Sequence, residues 1–127
     1  NFIQCKVVGW QENSVTVKCK NHVLNIPVSI AELAIGEPLT LGVRPEHLSL
    51  ETNAIAFQFE SDVVERLGST TYVFGQCSEV SNFKFLCHSD QQIKPATHMM
   101  LYTSPDNIHL FDKNDDAITI NALPTLN

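Results

Sequence analysis

An apolar strand runs directly into a polar corner in the stretch Leu41-Gly42-Val43-Arg44-Pro45-Glu46-His47-Leu48. Pro45 has no N–H group and a fixed φ, so the strand cannot continue through it as part of a central ladder. The proline also restricts Arg44 to an extended conformation. The pattern therefore predicts a strand that ends by presenting Arg44, Glu46 and His47 at a rigid corner.

The composition is that of one globular domain with no preference for polyanions. Of its 127 residues, 43% are apolar and 17% are charged, and a chain of this length can bury roughly two thirds of its unfolded surface. The formal net charge of −6 disfavours binding to nucleic acid and to anionic lipid. No apolar run reaches the roughly 18 residues of a membrane-spanning helix. The chain opens in what reads as a strand, and we interpret it as part of a longer protein whose missing portion lies upstream.

Hydrophobic alternation with a period of two predicts that most of the chain is β-strand. Residues 2–8 and 14–20 alternate, with a turn at 11–13, and predict a hairpin. Residues 56–67 are long for one strand and predict a bend or bulge midway. A later hairpin is expected to pivot near Ser81-Asn82.

The helical signal is weak in comparison. It consists of about one turn over residues 29–33, with Ser29 as its N-cap. Many short strands with so little helix predict an all-β barrel or sandwich of antiparallel strands. We expect one compact domain over residues 1–112, followed by a loosely held tail over 113–127.

The cysteines and histidines give no metal-binding pattern. No Cys-x-x-Cys spacing occurs, and no two histidines have the close spacing of a metal pair. The spacing allows disulfides between Cys5 and Cys19 and between Cys77 and Cys87, across two hairpins. We expect instead free thiols, mostly buried, in a reducing cytosol.

Three segments in matching order resemble the C-terminal domain of the ATP-binding subunits of carbohydrate ABC importers, of the maltose and glycerol-3-phosphate type. The first is the corner at 41–48, where the family reads Leu-Gly-Ile-Arg-Pro-Glu-His. The second is the hairpin at 63–72, where Thr70 replaces a frequent Glu, and the third is His109-Leu110-Phe111-Asp112, which lacks the usual following Gly. Asn1-Phe2 also resembles the start of the family's domain.

The resemblance implies an OB-like fold, the transport-associated OB domain, and a role without catalysis. Such a domain holds two ATPase subunits together as a homodimer and in some members receives a regulatory protein. The fragment itself is expected to need no cofactor, while ATP and Mg²⁺ belong to the missing ATPase domain. That domain would also contact the membrane permease subunits, on the cytoplasmic face of the membrane. The absence of any Gly-Lys pair agrees, since a phosphate-binding P-loop requires one.

Two sets of residues are the candidate interface and regulatory sites. Arg44, Glu46 and His47 form one set, for which the alternative is an internal salt bridge that fixes the corner. The other is the hairpin tip with Glu65, Arg66 and Gly68, where Gly68 is expected to have a positive φ. Its alternative is an ordinary solvated turn.

The aromatic residues allow a third interpretation, a base-stacking platform as in nucleic-acid OB folds. Their alternate spacing and the scarcity of basic neighbours favour packing in a core or a dimer instead, and we expect no nucleic acid partner. These residues are Phe57, Phe59, Tyr72, Phe74, Phe83 and Phe85. A small-ligand sensor that binds an oxyanion remains the alternative function, although the low number of Lys and Arg disfavours it.

Overall fold

The computed structural model describes residues 1–11, 14–20, 22–29, 34–77, 80–88, 92–118 and 121–122. It is built from β-strands, as the sequence predicts, with short 3₁₀ turns at Pro45–His47 and Pro105–Asn107. The strands are β1 (Phe2–Gln11), β2 (Ser14–Cys19), β3 (His22–Ile26), β4 (Val28–Ser29), β5 (Pro38–Val43), β6 (Ile55–Leu67), β7 (Thr70–Cys77), β8 (Val80–His88), β9 (His98–Thr103), β10 (Ile108–Phe111), β11 (Ala117–Ile118) and β12 (Asn121–Ala122).

The strands form two main antiparallel sheets around one core. The larger sheet has the order β11-β10-β5-β1-β2-β3, the smaller has the order β8-β7-β6-β9, and β12 pairs with β4. Alternate residues of both sheets face inward and are fully buried, so that one apolar cluster joins them. Members of this cluster include Ile3, Val7, Val17, Leu41, Phe57, Phe59, Val73, Phe83, Phe85, Leu101 and Leu110. The all-β, OB-like prediction is confirmed.

The long strand β6 contains the bulge that its length predicts. Asp62 is the extra residue, because Ser61 pairs with Gly75 while Val63 pairs with Phe74. Gly75 lies so close to the bulge that a Cβ atom built on it would overlap the Glu60 carbonyl oxygen. The glycine is therefore what allows the two strands to approach here.

The predicted pivot at Ser81-Asn82 is wrong. Both residues lie inside β8, which begins at Val80 and pairs with β7 from Cys77 onward. Asn82 has a φ of +63° and, with Ser81, lies opposite the single residue Gln76, so it forms a bulge rather than a turn. Asn favours a left-handed backbone both in turns and in bulges, so the sequence alone does not distinguish between the two.

The structure corrects two expectations about the cysteines. Cys5 and Cys19 lie on β1 and β2 with a Cα–Cα distance of 4.4 Å and form a disulfide, so the expectation of free thiols is wrong for this pair. Cys77 and Cys87 cannot be joined, because β7 and β8 pair Cys77 with Val80 and Cys87 with Thr71. This register separates the two cysteines by most of the hairpin, roughly 20 Å.

The predicted helical turn at 29–33 lies largely outside the described residues, and Ser29 belongs to β4 rather than to a helix cap. Two short strands, β11 and β12, fall within 113–127, the stretch for which the sequence predicts a tail. The domain boundary at residue 112 stays a prediction.

Asn1 ties the two main sheets together. Its side-chain amide donates to the Lys84 carbonyl oxygen at 2.7 Å and its Oδ1 accepts from the Lys84 N–H at 2.8 Å. Its main-chain carbonyl accepts from the Val43 N–H at 2.9 Å. Asn1 thus extends β1 beside β5 and also occupies the outward-facing backbone groups of β8 at its free edge.

Candidate interaction surfaces

The corner after β5 has the predicted conformation. Arg44 is extended, with φ −75° and ψ 143°, and Pro45 begins a 3₁₀ turn that ends at His47. The His47 N–H donates to the Arg44 carbonyl at 3.0 Å, which closes the turn. Thr103 at the end of β9 donates its hydroxyl to the His47 carbonyl at 2.7 Å. The corner is therefore fixed to the smaller sheet by a part-buried hydrogen bond.

The three corner side chains do not form one site. Arg44 is exposed, and none of the carboxylates in the described residues forms an ion pair with it, so the alternative of an internal salt bridge is not found there. Glu46 is exposed and lines a depression together with Thr70 and His88, whereas Arg44 lines another depression. His47 is half-buried, and its Nδ1 atom is buried without a hydrogen-bond partner in the described ranges. The short 3₁₀ turn points successive side chains in different directions.

The hairpin tip between β6 and β7 also has the predicted geometry. Gly68 is the first of two loop residues and has a φ of +63°, as a type II′ hairpin turn requires. Glu65 and Arg66 are both exposed, but they lie on opposite faces of the ribbon, since Glu65 pairs with Tyr72 and Arg66 with the buried Thr71. Glu65 therefore shares a surface with Tyr72, and Arg66 does not.

Two apolar surfaces were missed by the sequence reasoning. The first is the Phe2 hollow, a depression of about 370 Å³ lined by Phe2, Gly42, Arg44, His109 and Phe111, among others. The Phe2 ring is 69% exposed and its centroid lies 6.1 Å from that of Phe111. Gly42 has no side chain to fill the space between them. The alternation of residues along β1 could have predicted this exposure, because Phe2 lies on the same side of the strand as Gln4 and Lys6.

The second surface is the outer side of the smaller sheet, which we call the β7 face. Four of the six aromatic residues are buried in the core, as expected, but Tyr72 and Phe74 are not among them. They alternate with the buried Val73 and so lie on the outside, stacked with centroids 6.2 Å apart. The expectation of core packing is thus wrong for this pair, and packing in a dimer stays a prediction. The β7 face consists of Val63, Leu67, Tyr72, Phe74 and Leu86, flanked by Glu65 and Lys84.

Two further observations concern metal-binding side chains and basic side chains. Within the described ranges, His, Cys, Asp and Glu form no cluster of three or more that could hold a metal ion. All eight Lys and Arg side chains are exposed. None of the helical segments in the described part of the chain is long and apolar enough for a membrane span.

Comparison with known proteins identifies relatives along the chain. The "maltose/maltodextrin import ATP-binding protein MalK" of Mannheimia succiniciproducens is 31% identical over 123 residues, which cover 92% of this chain and 33% of that protein. The protein of the same name from Yersinia pestis is 26% identical, covering 92% of this chain and 32% of the relative. The "sn-glycerol-3-phosphate import ATP-binding protein UgpC" of Vibrio vulnificus is 32% identical over 88 residues, 66% of this chain and 24% of the relative.

Most of this chain therefore matches the two MalK relatives, but it spans only about a third of their length. The family model described as "TOBE domain" matches residues 41–111, which begin at the Leu-Gly-Val-Arg-Pro-Glu-His corner and end with His-Leu-Phe. This range is more than half of the chain and contains the corner, the hairpin tip and the β7 face. The chain belongs to the TOBE domain family.

Proposed function

We propose that this chain is the regulatory domain of an ATP-binding subunit of an ABC importer for sugars or related small polar solutes. The observation that carries the proposal is the match to import ATP-binding proteins over 92% of the chain but only about a third of theirs. The segment folds as an all-β unit with its own core. This is the expected property of a domain that is appended to an ATPase domain.

The domain does not hydrolyse ATP in this proposal. ATP and Mg²⁺ are bound by the ATPase region of the full protein, which would also supply the contact to the membrane permease subunits. The complete subunit would work in the cytoplasm, on the inner face of the membrane. The absence of a Gly-Lys pair and the exposed surfaces of the domain support a role in contacts between proteins.

The contact that the domain makes is with a second copy of itself. ATP-driven cycles bring two ATPase domains together and apart, and a lasting contact elsewhere keeps the effective concentration of the two domains high while they are apart. A regulatory protein is a further partner, and the Phe2 hollow offers it an exposed aromatic ring beside the cation of Arg44.

Two measurements test the proposal. The reading frame upstream of residue 1 should encode a nucleotide-binding domain with a P-loop, and a frame without one would contradict the assignment. Light scattering on the 127-residue chain should give twice the monomer mass of 14.2 kDa at high micromolar concentration. A strict monomer at millimolar concentration would remove the proposed self-contact.

A further inference from the structure

We propose that Cys5 and Cys19 form a reversible thiol–disulfide couple, which clamps β2 to β1 when it is oxidised and lets this end of the pair open when it is reduced. The inference rests on the proposed function in one step, the placement of the domain in a reducing cytosol. The carrying observation is the position of the two cysteines. They lie opposite each other on neighbouring strands, with their Cα atoms 4.4 Å apart.

The disulfide lies where β1 changes its partner strand. β1 pairs with β5 up to Lys6 and with β2 from Lys6 onward, and Lys6 with Lys18 is the last backbone pair between β1 and β2. Cys5 and Cys19 come one residue further along their strands, at a place that we call the fork. Beyond the fork β2 ends, and Lys20 turns the chain toward β3 with a φ of +54°. The covalent bond therefore holds the strands together where their backbone pairing has ended.

Both redox states fit the same backbone. A Cα–Cα distance of about 4.5 Å is ordinary for directly opposed residues of an antiparallel ladder, so the strands need not move when the bond is made or broken. Cys5 and Cys19 are only 5% and 2% exposed, and free thiols suit such buried positions as small apolar groups. The reduced Cys5 thiol also has an acceptor, since its sulfur lies 3.6 Å from the Ile3 carbonyl oxygen. Reduction therefore removes a cross-link and leaves the fold in place.

The core of the domain does not depend on this bond. Residues from both main sheets form one apolar cluster, and a chain of 127 residues is long enough for such a core. Disulfides that are needed for folding are typical of small secreted domains that lack a sufficient core, whereas disulfides of cytosolic proteins are usually transient. A removable cross-link on a fold with its own core is what a redox-responsive element requires.

Glutathione is the reactant that exchanges with the couple. One cysteine thiolate attacks glutathione disulfide, forms a mixed disulfide and releases one glutathione. The second cysteine then attacks the protein sulfur of the mixed disulfide, which forms the Cys5–Cys19 bond and releases the second glutathione. Two protein thiols are oxidised, one glutathione disulfide is reduced, and the two thiol protons end on the two glutathione molecules. Because both protein sulfurs are buried, glutathione reaches them when the fork opens.

A redox titration of the 127-residue chain tests the couple. The chain is started either oxidised in air or reduced with dithiothreitol, equilibrated in glutathione buffers, quenched with acid, alkylated and mapped by mass spectrometry. In millimolar glutathione at about a hundredfold excess over its disulfide, Cys5 and Cys19 should be mostly thiols, and in glutathione disulfide alone they should be bonded to each other. A bond that survives the reducing buffer is structural and overturns the proposal. A bond that does not form in the oxidising buffer overturns it as well.

Limited digestion with trypsin reports on the clamp, because Lys18 and Lys20 are exposed on either side of Cys19. Reduction should accelerate cleavage after these two lysines at least tenfold. Cleavage after Lys84, which is exposed on β8 of the smaller sheet, is the internal control and should change less than twofold. Equal acceleration at both places would show a general loss of stability and would overturn the local clamp.

Two double variants assign the response to the correct cysteines. Cys5→Ala with Cys19→Ala should digest like the reduced chain in every buffer. Cys77→Ala with Cys87→Ala is the matched control and should keep the full response, since the register of β7 and β8 holds these two residues apart. Where a variant does not fold, the mass map of the unchanged chain decides. A titration without a transition overturns this inference alone, whereas an upstream reading frame without an ATPase domain overturns the proposed function and leaves the titration result standing.

Discussion

Gly75→Ala should destabilise the domain by about 2–4 kcal/mol, although it adds only one methyl group. The new Cβ atom would overlap the Glu60 carbonyl oxygen and lie 2.8 Å from Cζ of the buried Phe59 ring. An overpacked interior position costs about 1–3 kcal/mol. The backbone oxygen cannot rotate away as a side chain can, so β7 must move from β6 and weaken one or two ladder hydrogen bonds, at about 1 kcal/mol each. The gain from replacing glycine in a strand offsets about 0.5–1 kcal/mol of this cost.

Gly9→Ala is the matched control, because Gly9 also lies in a strand beside a bulge but has nothing within 4 Å of its potential Cβ. It should leave the stability unchanged or raise it by up to about 1 kcal/mol. Urea unfolding followed by far-UV circular dichroism measures both variants, and the melting temperature of Gly75→Ala should fall by roughly 6–20 °C for a domain of this size. Equal stabilities of the two variants, within about 0.5 kcal/mol, would refute the argument that Gly75 is required for the approach of the strands.

Four further predictions concern the core and the ligand alternative. Reducing the Cys5–Cys19 disulfide, whose cysteines are 14 residues apart, should lower the free energy of unfolding by about 3 kcal/mol. Urea unfolding with and without dithiothreitol measures this difference. Alkylation of all four cysteines without prior reduction would contradict the disulfide. Thr71→Val should raise the stability by about 1 kcal/mol, since its hydroxyl is buried with no partner in the described residues. Thr103→Val should lower the stability by about 1–2 kcal/mol, because it removes the hydrogen bond to His47. If thermal melts show changes of the same sign for Thr71→Val and Thr103→Val, the two predictions are contradicted. Millimolar molybdate or sulfate should shift the melting temperature by less than about 1 °C, whereas a shift of several degrees would favour the oxyanion sensor.

The regular elements and one irregularity were readable in the sequence. Alternation located the β1–β2 hairpin and the buried face of β8, and the excessive length of β6 predicted its bulge. Pro45 fixed the end of β5 because its effect on the backbone is local. Features that depend on local geometry alone could therefore be derived from neighbouring residues.

Features that depend on the register between strands could not be derived from neighbouring residues. Whether Cys87 faces Cys77 or Thr71 is decided by where the hairpin turns: a pivot at Ser81-Asn82 would bring the two cysteines opposite each other, whereas pairing that begins at Cys77 and Val80 places Cys87 opposite Thr71. The directions of Arg44 and Glu46 at the corner likewise depend on what packs around a single 3₁₀ turn. Tyr72 and Phe74 alternate with Thr71 and Val73, and only the packing of the sheet shows that Thr71 and Val73 are buried while the two aromatic side chains lie on the outer side.

The hydrogen bonds of Asn1 have a mechanical consequence. One residue contacts β5 of the larger sheet through its backbone and β8 of the smaller sheet through its amide. A pull or twist applied at this residue is therefore shared by both halves of the barrel, which respond as a single stiff body. Shortening the side chain in Asn1→Ala would remove this direct link and leave the apolar core as the connection between the two sheets.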